Sequence, residues 1–166
     1  MTSRDKMKII SEDALKRELD PVIDALQGGL GEGLVAVVLY GSRARGEANV
    51  ESDWDLLVIA QDLPERHIER NRELKDILPQ EWRGIISILA KTPEEFEAVL
   101  PSLYLEIALD GQILYDPQGY AALQLQKLRR LIISKGLRRE RQGEDLVWKW
   151  ESFPGFGWSL AWEEAG

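Results

Sequence analysis

Residues Leu34 to Tyr40 (LVAVVLY) form an unbroken apolar run. It is far too short to cross a bilayer, and it lacks the polar alternation of a strand with one wet face. Such a run predicts a strand buried on both faces, which needs cover from both sides. Asp55 to Ala60 and Gly84 to Ala90 repeat the pattern, and Gly111 to Tyr115 predicts a shorter strand ending at Asp116-Pro117. Helical patterns lie between them. Residues 12–19 place Leu15 and Leu19 at helical spacing, and Asp20-Pro21 reads as a cap and first-turn proline that restarts a helix through Leu26. Gly28, Gly29, Gly31 and Gly33 are expected to break it. Pro64 to Leu78 predicts a charged helix with Ile68, Leu74, Ile77 and Leu78 as its buried residues. Thr92-Pro93-Glu94-Glu95 has the residues of a capping box. Leu103 to Leu109 predicts a helix on the sheet, and a long helix is expected from about Gln118 to Ser134, stopped by Gly136. Beyond it, Trp148, Trp150, Phe153, Phe156, Trp158 and Trp162 alternate with polar residues around Pro154-Gly155, which predicts a β-hairpin. The order of elements argues an α/β or α+β fold with one central sheet.

The 166-residue length suits one domain with a real core. No apolar run approaches the ~20 residues of a membrane-spanning helix. Met1 to Lys8 is charged and lacks the apolar centre of a signal peptide. With no cysteine, disulfides and thiolate metal sites are excluded. These features lead us to expect a cytoplasmic protein. The net charge of -8 makes the chain a poor nucleic-acid binder, since phosphate contact needs Lys and Arg. Lys127, Arg129, Arg130, Lys135, Arg138, Arg139 and Arg141 nevertheless cluster, opposed only by Glu140. They read as a solvated helix face or as a patch for a polyanionic partner.

Val35 to Ile59 carries the chemistry. The buried strand ends at Tyr40, and Gly41-Ser42 follows directly. Arg43-Ala44-Arg45-Gly46 can make one helical turn, and a small loop leads to Asp53-Trp54-Asp55, where the next strand begins. Glycine allows close approach of backbone to phosphate. A serine beside free backbone N–H groups can hold phosphate oxygens. Aspartates at i and i+2 on an extended strand point to one face, where they can share a Mg²⁺ that prefers hard oxygen ligands. Trp54, between them, is expected in the core.

Gly41-Ser42, ten residues, then Asp53-x-Asp55 resembles the signature of the minimal nucleotidyltransferases of the DNA polymerase β-like superfamily. The strings Tyr40 to Gly46 and Ser52 to Val58 are similar to the family's usual wording, and Asp110 to Asp116 is similar to a segment of stand-alone members. The resemblance implies a nucleotidyltransferase fold with a mixed sheet flanked by helices. Residues 1–116 would be its core, and 117–166 a C-terminal helix and aromatic hairpin packed on the same domain. It implies transfer of a nucleoside monophosphate from an NTP, ATP being expected, to a hydroxyl. Gly41 and Ser42 would hold the triphosphate, and Asp53 and Asp55 would bind the catalytic Mg²⁺. Arg43 and Arg45 flank the loop as further nucleotide-binding candidates.

Family members usually carry a third carboxylate on a later strand. Aligning on Thr92-Pro93 places Ser87 there, and a hydroxyl is a weak, neutral ligand for Mg²⁺. Glu81 or Glu106 would have to substitute through space. His67, the only histidine, falls on a polar helix surface. The tail tryptophans read as a hydrophobic cover or dimer contact, or as a stacking platform for a base. A homo-oligomer is compatible with this reading. Two functions follow. One is an active nucleotidyltransferase with a protein or small-molecule acceptor, such as an aminoglycoside. The other is a nucleotide-binding regulatory or antitoxin-like protein that has lost catalysis.

Overall fold

The computed structural model describes residues 11–156 and 158–166; the charged segment at residues 1–8 lies outside them. Four strands, β1 (Leu34–Tyr40), β2 (Trp54–Ala60), β3 (Ile86–Lys91) and β4 (Gln112–Tyr115), form one sheet in the order β3-β2-β1-β4. β1 runs antiparallel to β2 and β4, while β2 and β3 are parallel. The sheet is therefore mixed, and β3 is an edge strand. No helix among the described residues is long and apolar enough to cross a membrane.

Both faces of β1 and β2 are covered, which explains their unbroken apolar runs. On one side Val37, Leu39, Trp54, Leu56 and Val58 pack with Leu15, Leu19, Val22 and Leu26 of α1 (Glu12–Leu30) and Leu74 of α3 (His67–Ile77). On the other, Ala36, Val38, Leu57 and Ile59 meet α4 (Pro93–Ala98), α5 (Ser102–Asp110) and α6 (Tyr120–Ser134). A five-residue helix, α2 (Gly41–Arg45), joins β1 to the loop before β2.

Several local expectations are corrected. α1 does not restart at Pro21; it runs unbroken through Gly28 and Gly29 to Leu30. Pro21 forfeits one backbone bond, but the fully buried Leu19, Val22 and Leu26 around it hold the helix on the sheet. Ile68 is 82% exposed, whereas Arg70 is buried. The hairpin is built from β5 (Leu137–Gln142) and β6 (Asp145–Trp150), with its turn at Gly143-Glu144 rather than Pro154-Gly155. Gly143 has φ +65, which suits the first position of a two-residue hairpin loop.

The capping box of α4 forms: Glu95 N donates to Thr92 Oγ1 and Thr92 N to Glu95 Oε2. Arg70 also grips Glu95, and its hydrogen bonds hold the carboxyl down at about 2 against the opposing effect of burial. A carboxyl depressed in the folded state stabilises it above the ordinary carboxylate range, and that stability is lost as pH falls toward 2. Urea unfolding of wild type and Glu95→Gln should therefore converge between about pH 4.5 and pH 2. Curves that stay parallel over that interval would contradict the pairing.

Candidate active site

Backbone register assembles the site. Asp55 pairs with Tyr40 on β1 and with Ser87 on β3, so the three occupy one row across the sheet. Trp54 and Leu56 enter the core on the α1 side, so Asp55 faces the opposite way. Asp53, two residues earlier, is exposed and close enough for its charge to act on Asp55. The Asp55 carboxyl is raised above its ordinary range, first by burial and then by Asp53, with Arg45 opposing. Tyr40 is pushed up to about 12 by burial and by Asp55.

Gly41 must be glycine on two counts. Its φ is +75, and a Cβ there would collide with the Asp55 carboxylate. The turn into α2 thus lies directly against Asp55. Ser42, half-buried, is the second residue of α2, and its carbonyl accepts from Glu47 N at 2.9 Å. Gly46, at φ +73, ends the helix.

The two arginines of α2 have different surroundings. Arg43 donates through Nε and Nη2 to the Ser52 carbonyl at 3.0 and 2.7 Å, and its guanidinium lies 4.3 Å from the Trp54 ring centre. These contacts brace the loop that delivers Asp53. Arg45 donates through Nε to Glu47 at 3.0 Å and reaches Asp110 with Nη1 at 3.4 Å. Its charge is the one that bears on Asp55.

Among the described residues, no group of three or more carboxylates and histidines is placed to hold a metal. Glu81 and Glu106 therefore do not complete a triad with Asp53 and Asp55. Ser87 is exposed beside Asp55, and His67 is exposed on α3. Neither Asp53 nor Asp55 forms an ion pair with a described residue. Two adjacent, unpaired carboxylates that repel each other fit a divalent cation as their counter-charge.

Residues 31–117 match the family described as polymerase beta, nucleotidyltransferase. The chain is 32% identical over 144 residues to a Methanocaldococcus jannaschii protein named "putative protein adenylyltransferase", an alignment that covers 84% of this chain and 97% of that one. The chain belongs to the nucleotidyltransferase family. A solved toxin–antitoxin structure with AMP-PNP shares the fold at a TM-score of 0.52 and 20% identity, covering 70% of this chain and 90% of that one.

This nucleotidyltransferase-like enzyme has site neighbours that the sequence reading missed. Arg139 Nη1 and Nη2 donate to Asp110 Oδ2 and Oδ1 at 2.6 Å each. Arg141 pairs with Glu47. The alternation Leu137, Arg139, Arg141 was the available signal, since it puts all three on one face of β5. The basic segment is correspondingly not one helix face. It divides between α6 and β5, with Lys135 on Glu164 at 2.6 Å and Arg138 on Glu140 at 2.7 Å. Trp148, Trp150 and Trp158 line an apolar cavity of about 130 Å³ with Ser102, Leu105, Leu137 and Leu160. Trp162 Nε1 donates to the Val99 carbonyl at 3.0 Å.

Proposed function

We propose that this nucleotidyltransferase moves AMP from Mg²⁺-ATP to a hydroxyl of a protein. The observation that carries the reading is the Asp53–Asp55 carboxylate pair, without an ion-pair partner among the described residues, with Asp55 packed against Gly41. The name of the M. jannaschii relative supports adenylyl transfer to protein. The AMP-PNP of the toxin–antitoxin structure supports an adenine nucleotide and a protein partner.

In this reading Gly41, lacking a Cβ, lets the triphosphate approach the backbone, and Ser42 holds a phosphate oxygen. Asp53 and Asp55 hold Mg²⁺, which when bound neutralises phosphate charge and lowers the pKa of the acceptor hydroxyl. Arg45 adds a fixed positive charge beside them. The acceptor oxygen forms a bond to the α-phosphorus as the bridging bond to the β-phosphate breaks. Pyrophosphate leaves, and the hydroxyl proton passes to solvent. The test is incubation with ATP labelled at the α- or the γ-phosphate and a pool of candidate acceptor proteins. Label should reach protein from the α-position only, with pyrophosphate released. Transfer from the γ-position, or label confined to small molecules, would overturn the proposal.

A second reading, a nucleotide binder with weak or lost transfer, is favoured by Ser87 standing beside Asp55 with no further acid nearby. Ser87→Asp separates the two. It adds like-charge repulsion, so the apo protein should melt slightly lower, and Mg²⁺-ATP should recover the loss by binding the folded state more tightly. Transfer should rise if wild type is slow for want of this ligand. Brisk wild-type transfer, unchanged by Ser87→Asp in both rate and melting, would remove Ser87 from the site.

A further inference from the structure

Asp110 is the last residue of α5, where the helix dipole disfavours a negative charge. It is also nearly buried, at 10% side-chain exposure. A carboxylate there needs compensation, and it comes from β5: both terminal nitrogens of Arg139 meet it at 2.6 Å. That pairing is bidentate, the geometry in which a guanidinium fixes a carboxylate in orientation as well as in charge. The remaining reach of Asp110 goes to Arg45 on α2, at 3.4 Å. The next residues continue the contact. A Cβ on Gly111 would clash with Ile107 and Val38, so the chain turns tightly, and Gln112 Nε2 then donates to the Ala44 carbonyl at 2.9 Å. The corner between α5 and β4 thus clamps the end of α2, whose first residue, Gly41, lies against Asp55.

We propose that Arg139 is a positioning residue of the nucleotide site. Through Asp110 it holds Arg45 at the distance from Asp55 that nucleotide and metal binding require. The β5–β6 hairpin, which lies outside the matched segment 31–117, is then a working part of the site. Arg139 does not itself contact phosphate: its side chain is 15% exposed and its terminal nitrogens are engaged by Asp110. The loop beyond α2 is held from the same strand, since Arg141 takes one oxygen of Glu47 while Arg45 takes the other. The proposal rests on the reading of Asp53 and Asp55 as the metal and nucleotide site.

The experiment compares Mg²⁺-ATP affinity by calorimetry in wild type, Arg139→Ala, Arg139→Lys and Leu137→Ala, with thermal melts of each. Leu137 fills the aromatic cavity at the apolar end of β5, so Leu137→Ala lowers overall stability while the Arg139–Asp110 and Arg141–Glu47 pairs still hold β5 against the site. Arg139→Ala should weaken nucleotide binding about tenfold, the low end of what loss of an outer-shell partner costs a metal site. Arg139→Lys should recover part of that, and Leu137→Ala should lower the melting temperature with affinity unchanged. If Arg139→Ala fails to fold, Asp110→Asn must show the same loss of affinity. Wild-type affinity in Arg139→Ala, or an equal loss in Leu137→Ala, overturns the proposal. If that happens while Asp53→Asn/Asp55→Asn abolishes binding, the proposed function stands alone. A wild type with no Mg²⁺-dependent ATP binding sinks both.

Discussion

The double variant Asp53→Asn/Asp55→Asn should lose Mg²⁺-dependent ATP binding and, with it, transfer. Asparagine keeps the shape of each side chain and removes the charge a hard cation needs. Each lost charge-assisted contact is worth about 1.5–3 kcal/mol, or about tenfold to a hundredfold in affinity. The pair should therefore fall below calorimetric detection. The apo protein should respond in the opposite direction. Asp55 carries a carboxyl raised by burial and by Asp53, so its charged form is a net cost to the fold at neutral pH. The sign follows directly: a raised carboxyl stabilises the folded state at low pH and loses that advantage as pH climbs through it. Asp55→Asn should thus melt higher than wild type at pH 7 without metal, and Mg²⁺-ATP should no longer shift its melting. A variant that binds nucleotide as wild type does, or that melts lower in the apo form, would contradict the assignment of this pair.

The largest effect on stability is expected at Arg70. This side chain is 1% exposed, yet every direction of its guanidinium has an acceptor. It donates to the Pro64 carbonyl through Nε and Nη2 at 2.9 and 2.7 Å, to the Ala90 carbonyl at 3.0 Å and to both oxygens of Glu95 at 2.8 and 2.9 Å. It therefore ties the start of α3 to the end of β3 and to the cap of α4. Arg70→Met keeps much of the packing but strips the carbonyls and the carboxylate of their donor. Breaking one side of a fully buried pair costs about 3–5 kcal/mol; Glu95 is 40% exposed and water can take over its carboxylate, so the cost here sits at the low end, about 3 kcal/mol. At about 2–4 °C per kcal/mol for a chain of this size, melting should drop by about 10 °C. Arg70→Lys should fall between, since an ammonium cannot span the same acceptors. Combining Arg70→Met with Glu95→Gln should be less than additive, because both remove the same contact. A loss under about 1 kcal/mol in Arg70→Met, measured by urea unfolding, would place this ion pair with the weak surface ones.

The sheet and the local geometry around Gly41 and Asp55 were legible in the sequence, for a physical reason. β1 and β2 are covered on both faces, so burial leaves an uninterrupted apolar record at Leu34–Tyr40 and Leu56–Ala60. Gly41 lies against Asp55, and Asp53 stands two residues before it, so short-range geometry relates the three and local spacing encodes it. Contacts between distant segments left weaker traces. Arg70 looked like one more charge on a polar helix, because nothing local announces that Glu95 and two carbonyls will surround it. Pro21 followed the local rule for a helix start, but the apolar stripe of α1 against the sheet outweighed one missing backbone bond. The hairpin was read from its aromatic strand alone. Its partner, Leu137–Gln142, is mostly charged and looked like exposed helix. It pairs instead through cross-strand neighbours such as Lys149 with Glu140, at 2.8 Å, and through Arg139 and Arg141 on the body of the protein.

The place of Ser87 on the outermost strand bears on how a fold of this kind can change its chemistry over generations. β3 has a neighbour on one side only, and position 87 is solvent-exposed beside Asp55. A side chain exchanged there displaces no core residue and interrupts no backbone ladder. An acid can be gained or lost at that spot while the sheet, the glycine turn and the aspartate pair stay as they are. Under the proposed reading of the site, one substitution at that position would change how many negative charges face a bound metal, with the core packing left as it is.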